Sequence, residues 1–204
     1  TQPSPKALLS IAQALKVNLW GFFDHNEVTL ELAEFRHGEK LANSTLEKQN
    51  IHDLVIAECQ GYVELDKLLG TQIKFINPLA GIEIATLEDV EAAVIKLRKK
   101  WKLYHLPIDD LTNLLENQGI KVITVSRQTD SPGVCGFVKD SNESIPFIIV
   151  NIANDHIREL TRKRFTLAHE AAHLFLEFKK TLSSEMQERL CNRFASAFLL
   201  PGNA

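Results

Sequence analysis

In the stretch RFTLAHEAAHLFLEF, residues 164–178, two histidines stand four residues apart and a glutamate directly follows the first. On a helix, positions i and i+4 lie one turn apart, so His169 and His173 share a face and can offer two imidazole nitrogens to one ion. Glu170 then points close to the same place without ligating, where it can take a proton from water as a general base. That division of labour is metal-assisted hydrolysis. Short motifs also arise by chance, so the flanks must carry part of the argument. Here they are apolar and helix-competent, and two imidazoles and a carboxylate are costly to bury among them without partners.

A catalytic zinc site needs a third protein ligand and an open position. The next helix, SSEMQERLCNRFASAFLLP, offers Glu185 and Glu188 at a sequence distance that suits a helix packed antiparallel on the first. Spacing does not choose between them, and either can be a solvated surface acid. Cys191 follows Glu188 by three residues; if it reached the metal, the site would close and become structural.

The elements that must position these residues are legible as periodicities. Residues 5–23 carry Leu8, Ile11, Ala12 and Leu15 at helical spacing behind Ser4 and Pro5, and VNLWGFF reads as a short second helix. Residues 24–70 are richer in charge and carry helical stripes, which predicts two helices, or one long helix and a linker. The run NPLAGIEIATLEDVE interrupts the periodicity, and Thr86 opens a Thr-x-x-Asp capping pattern, so a domain boundary is placed near residue 78. Beyond it we expect a helix over 87–103, another from about Ile108 to Gln118 stopped by Gly119, a strand IKVITVS and a hairpin GVCGFVKDSNESIPFIIVN. The expected fold class is α+β: a helical N-terminal region (1–24 and a helical linker 25–77), then a domain over 78–204 with a small antiparallel or mixed sheet and two late helices.

Composition narrows the setting. With 204 residues, 45% of them hydrophobic, the chain can bury a proper core. Its 23 Lys+Arg against 26 Asp+Glu argue against nucleic-acid or membrane binding through bulk charge. Cys59, Cys135 and Cys191 are scattered and unpaired in pattern, which fits reduced thiols used as core fillers in a cytoplasmic protein. No apolar run approaches the roughly 18 residues of a membrane span. The first residue is Thr1 and the only methionine is Met186, so the chain is expected to be part of a longer one.

RFTLAHEAAHLFLEF followed by ERLCNRFASAFLLP resembles the ImmA/IrrE family of metallopeptidases in both blocks and in their order. The resemblance extends upstream to about residue 86, a little over half the chain, and implies a zincin-like domain, truncated at its C-terminus. It implies zinc held by His169, His173 and Glu188, with Glu170 as catalytic base and Glu185 left as a surface acid. Where family members commonly have glycine before the second histidine, this chain has Ala172, a small residue that preserves close packing. The N-terminal PSPKALLSIAQALKVNLWGFF resembles, more loosely, the last two helices of a Cro/repressor-type helix-turn-helix domain. The segment that would hold a recognition helix is absent, and Lys6 and Lys16 form no basic patch.

The resemblance implies a zinc endopeptidase that cleaves a helix-turn-helix repressor and so relieves repression of mobile-element, stress or DNA-damage genes. DNA is a partner only through the N-terminal domain of a longer chain. The rival reading is a non-proteolytic DNA-binding regulator or antitoxin-like protein that uses the peptidase-like fold as a sensor. The intact set of three ligands and a base speaks against it. Two smaller expectations complete the reading: the strand FIIVN is a candidate sheet edge for an extended peptide, or an ordinary internal strand. His156 and Tyr104 are candidate oxyanion helpers, with surface or packing roles favoured for each.

Overall fold

The computed structural model describes residues 5–15, 30–35, 45–126, 132–140, 143–152 and 160–201. Their elements are, in order, α1 (Pro5–Leu15), β1 (Leu30–Phe35), α2 (Thr45–Leu69), β2 (Glu83–Ile84), α3 (Leu87–Lys100), α4 (Leu111–Glu116), β3 (Lys121–Val125), β4 (Gly133–Asp140), β5 (Glu143–Asn151), α5 (Leu160–Phe175), β6 (Glu177–Phe178) and α6 (Ser184–Leu199). The second helix expected at VNLWGFF and the residue His156 lie outside the described residues.

A four-stranded mixed sheet in the order β1-β4-β5-β3 forms the frame. β4 and β5 are the expected hairpin, antiparallel from Gly133↔Val150 to Asp140↔Glu143, and β3 runs parallel to β5. β5 therefore has neighbours on both sides. That corrects the edge-strand reading of FIIVN, and burial of its residues 147–150 on both faces explains why it reads as an uninterrupted apolar run.

The two sheet faces carry separate cores. Phe147, Ile149, Val134 and Val138 meet Val55, Cys59 and Val63 of α2. Ile148, Val150, Cys135 and Val122 turn the other way, into the larger core shared with α3, α4, α5 and α6. Alternation along β4 and β5 thus sorts one strand's side chains between two helical layers.

Two expectations change here. Residues 30–35, expected to be helical, form β1 and pair with β4 from Leu30↔Asp140 to Phe35↔Gly136. Leu, Glu and Ala favour helix in isolation, and pairing with a neighbouring strand overrides that preference. Second, the sheet and its cores span residue 78, the expected boundary. Beyond the shared core, Lys121 of β3 pairs with Asp66 of α2 and lies 4.8 Å above the Tyr62 ring, while the Tyr62 hydroxyl donates to Glu116 of α4 at 2.6 Å. Even the Pro- and Gly-containing run is docked on the body. Asn77 Nδ2 donates to the Phe175 carbonyl at the end of α5 (3.1 Å), and β2 pairs in parallel with β6.

Local signals at the element ends are well kept. Thr86 and Asp89 make the full reciprocal capping box of α3, and Asp110 caps α4. Gly119 ends the α4 turn at φ +83, with the Ile73 carbonyl oxygen only 2.6 Å from where a Cβ would stand. Both the backbone conformation and the close approach demand glycine. Among the described residues no helix is long and apolar enough to cross a membrane.

Candidate metal centre

α5 is exposed at its start and, His169 apart, is buried from Leu167 onward, where it packs on β4, β5 and α6. The helix ladder sets His169 and His173 one turn apart, and their Nε2 atoms face each other at 3.2 Å. α6 starts at its N-cap Ser183 and brings Glu188 between the two rings. Glu188 Oε2 lies 3.3 Å from His169 Nε2, and Oε1 lies 3.2 Å from His173 Nε2.

Among the described residues, His169, His173 and Glu188 form a group of donors able to hold a metal ion. Their spacing bears on the fit. Nitrogen and oxygen ligands about 2.0–2.2 Å from a tetrahedral zinc stand about 3.3 Å from one another. The two Nε2 atoms stand 3.2 Å apart, close to that value, and each faces one oxygen of the Glu188 carboxylate, so that one ligand atom from each of the three residues lies within 4.8 Å of the others. Two neutral imidazoles and a carboxylate also suit zinc better than the all-oxygen sets preferred by magnesium or calcium.

Glu185, the other acid considered, is exposed in the first turn of α6 and outside the donor group. At i and i+3 the two acids are neighbours on one helix face, so helical spacing does not separate them; the packing of α6 on α5 brings only Glu188 to the rings, while Glu185 stays exposed in the first turn. Cys191 is buried, yet its Sγ meets His173 at Nδ1 (3.4 Å), the ring nitrogen opposite the one that faces Glu188. It therefore stands behind the imidazole rather than in the donor triangle, and the closed four-ligand arrangement does not form. Burial, followed by the charges of Glu188 and Glu170, pushes its thiol well above the ordinary cysteine range.

Burial of the His169 ring opposes its protonation. The hydrogen bond that the ring donates to Glu188, the charges of Glu170 and Glu188 and the bond to Asn192 outweigh this, so its pKa is raised. Glu170, 6% exposed, lies on the β4-facing side of α5. A Cβ placed at Gly133 of β4 would stand 3.0 Å from Glu170 Oε1. Tyr104 is 58% exposed at a positive φ of 46, and its carbonyl accepts from Arg98 Nε at 2.8 Å. The structure thus gives Tyr104 a surface position whose backbone anchors the α3 terminus.

Two residues near the centre were not read from sequence as site residues. Asn192 contacts His169 Nδ1 through Oδ1 at 3.0 Å, and Gly133 provides the space beside Glu170. For Asn192 a signal existed, because Glu188, Cys191 and Asn192 sit at i, i+3 and i+4 on one helix face. For Gly133 there was none, since nothing local pairs the start of β4 with α5.

No curated protein and no solved structure matches the chain. Among protein-family models, the peptidase family described as the IrrE N-terminal-like domain matches residues 115–204, a span that contains His169, Glu170, His173 and Glu188. That match supports the ImmA/IrrE resemblance and a metallopeptidase-like role for this part of the chain.

Proposed function

We propose that the chain is a zinc-dependent endopeptidase in which His169, His173 and Glu188 hold the metal and Glu170 is the general base. The observation that carries this reading is the convergence of His169, His173 and Glu188, with one ligand atom from each within 4.8 Å of the others, beside the buried carboxylate of Glu170. When bound, a zinc ion supplies Lewis acidity, which acidifies a water molecule and polarises a peptide carbonyl. The chain's own groups do the remainder. Glu170 lies next to His169 in sequence, close enough for its charge to act on that ring, and is largely withdrawn from solvent. Its carboxylate accepts the proton of the attacking water and returns it to the departing amine. His169 and His173, held by a helix that packs on the sheet, keep their orientation through the reaction.

The substrate proposed is a helix-turn-helix repressor, and the ImmA/IrrE resemblance supports it. The burial of Cys59, Cys135 and Cys191 agrees with thiols used as core fillers in a reducing, cytoplasmic setting. The discriminating experiment compares the wild-type protein with Glu170→Gln for zinc content and for loss of a co-expressed helix-turn-helix repressor. Equal zinc in both, with repressor loss only in the wild type, is the expected result. Equal repressor loss in both would falsify the peptidase reading.

A further inference from the structure

α6 reaches the two histidines at three places. Glu188 meets both rings at Nε2, while Asn192 Oδ1 meets His169 Nδ1 at 3.0 Å and Cys191 Sγ meets His173 Nδ1 at 3.4 Å. Each imidazole is thus held at both nitrogens by one neighbouring helix. An amide oxygen carries no hydrogen, so the His169 contact is a hydrogen bond only when the proton sits on Nδ1. In the neutral ring that leaves the Nε2 lone pair on the side of Glu188 and His173.

The two supports differ in strength. His169 is the more accessible ring, with 15% of its side chain exposed against 4% for His173. Water can compete for its Nδ1, whereas His173 is enclosed by packing and faced by a weakly accepting sulfur. The oxygen anchor therefore stands where packing does least.

We propose that Asn192 is a positioning residue of the metal centre: through Oδ1 it holds His169 as the Nδ1–H tautomer, with Nε2 presented to the cation. Cys191 gives His173 a weaker form of the same support. This rests on the metallopeptidase reading above. A histidine that donates its second N–H to a fixed acceptor is both oriented and made a better ligand, an effect worth about 10–100-fold in metal affinity.

The test uses the full chain, stripped of metal and reloaded with Zn2+ or Co2+. Affinity is read by chelator competition, and ligand geometry by the visible absorption of the Co2+ form, for the wild type, Asn192→Ala and Asn192→Asp. Asn192 is exposed, so its loss should leave unfolding of the metal-free protein unchanged. Asn192→Ala is expected to bind about 10–100-fold more weakly and to alter the Co2+ spectrum, while Asn192→Asp, which keeps an oxygen acceptor, retains wild-type affinity or exceeds it. The proposal is overturned if Asn192→Ala matches the wild type in both readouts, or if Asn192→Asp is as weak as Asn192→Ala. A wild-type chain that binds neither ion overturns the metallopeptidase reading itself, and the inference with it.

Discussion

Gly133 of β4 packs against Glu170 of α5 with no space for a side chain between them. A Cβ at Gly133 would stand 3.1 Å from Glu170 Cγ, 3.0 Å from Glu170 Oε1 and 2.7 Å from Thr166 Cγ2. The hairpin and the motif helix therefore fix the position of the proposed base jointly.

Gly133→Ala is expected to destabilise the protein by about 1–3 kcal/mol, the usual cost of overpacking. It should also displace Glu170, lowering peptidase turnover while zinc content is retained. Adding Thr166→Ser removes the tightest contact but not those with Glu170. The double variant should recover thermal stability more fully than turnover. Parallel recovery of both would show that the glycine serves packing alone.

The two acids of α6 should separate cleanly. Glu188→Gln replaces a carboxylate that lies within 3.3 Å of both histidine Nε2 atoms, and zinc content after dialysis should fall sharply. Glu185→Gln changes an exposed first-turn residue and should leave zinc content as in the wild type. Atomic absorption on both proteins decides the matter, and equal retention would remove Glu188 from the ligand set.

A fragment beginning at residue 78 should not fold as a stable unit. It uncovers Val134, Val138, Phe147 and Ile149, which meet Val55, Cys59 and Val63 in the intact chain, and it removes Asp66 from the buried Lys121. Within the full chain, Val63→Ala is expected to cost about 1–3 kcal/mol by the same logic. Chemical denaturation measures both. A cooperative transition of the fragment at the wild-type midpoint would show that α2 is dispensable.

The capping box of α3 carries a pH signature. Asp89 accepts from the backbone N–H of Ala85 and of Thr86, and these bonds, with the Thr86 side chain, lower its pKa. A carboxylate depressed in the folded state stabilises above its unfolded pKa, and that contribution disappears as pH falls through the folded value. The stability difference between wild type and Asp89→Ala should accordingly be largest near neutrality. It should shrink below the ordinary aspartate pKa of about 3.9. A difference that is constant with pH would mean that the charge is irrelevant to the cap.

Local chemistry was legible in the sequence because it is short-range. The His169-Glu170-x-x-His173 spacing, the Thr86–Asp89 box, the stop at Gly119 and the β4–β5 hairpin all follow from helix pitch, capping and turn preferences within a few residues. Spacing alone also put Glu185 and Glu188 on one helix, but it did not choose between them; the family resemblance did.

What only the tertiary structure decided involves partners far apart in the chain. Residues 30–35 carry helix-forming side chains yet pair with β4, some hundred residues away, and α2 covers a sheet face that no local pattern assigns to it. The same holds for the centre itself. That Cys191 lies behind His173, that Asn192 backs His169 and that Gly133 makes room for Glu170 are consequences of how α5, α6 and β4 pack. Periodicity places a residue on a face, whereas the packing of other elements determines what that face meets.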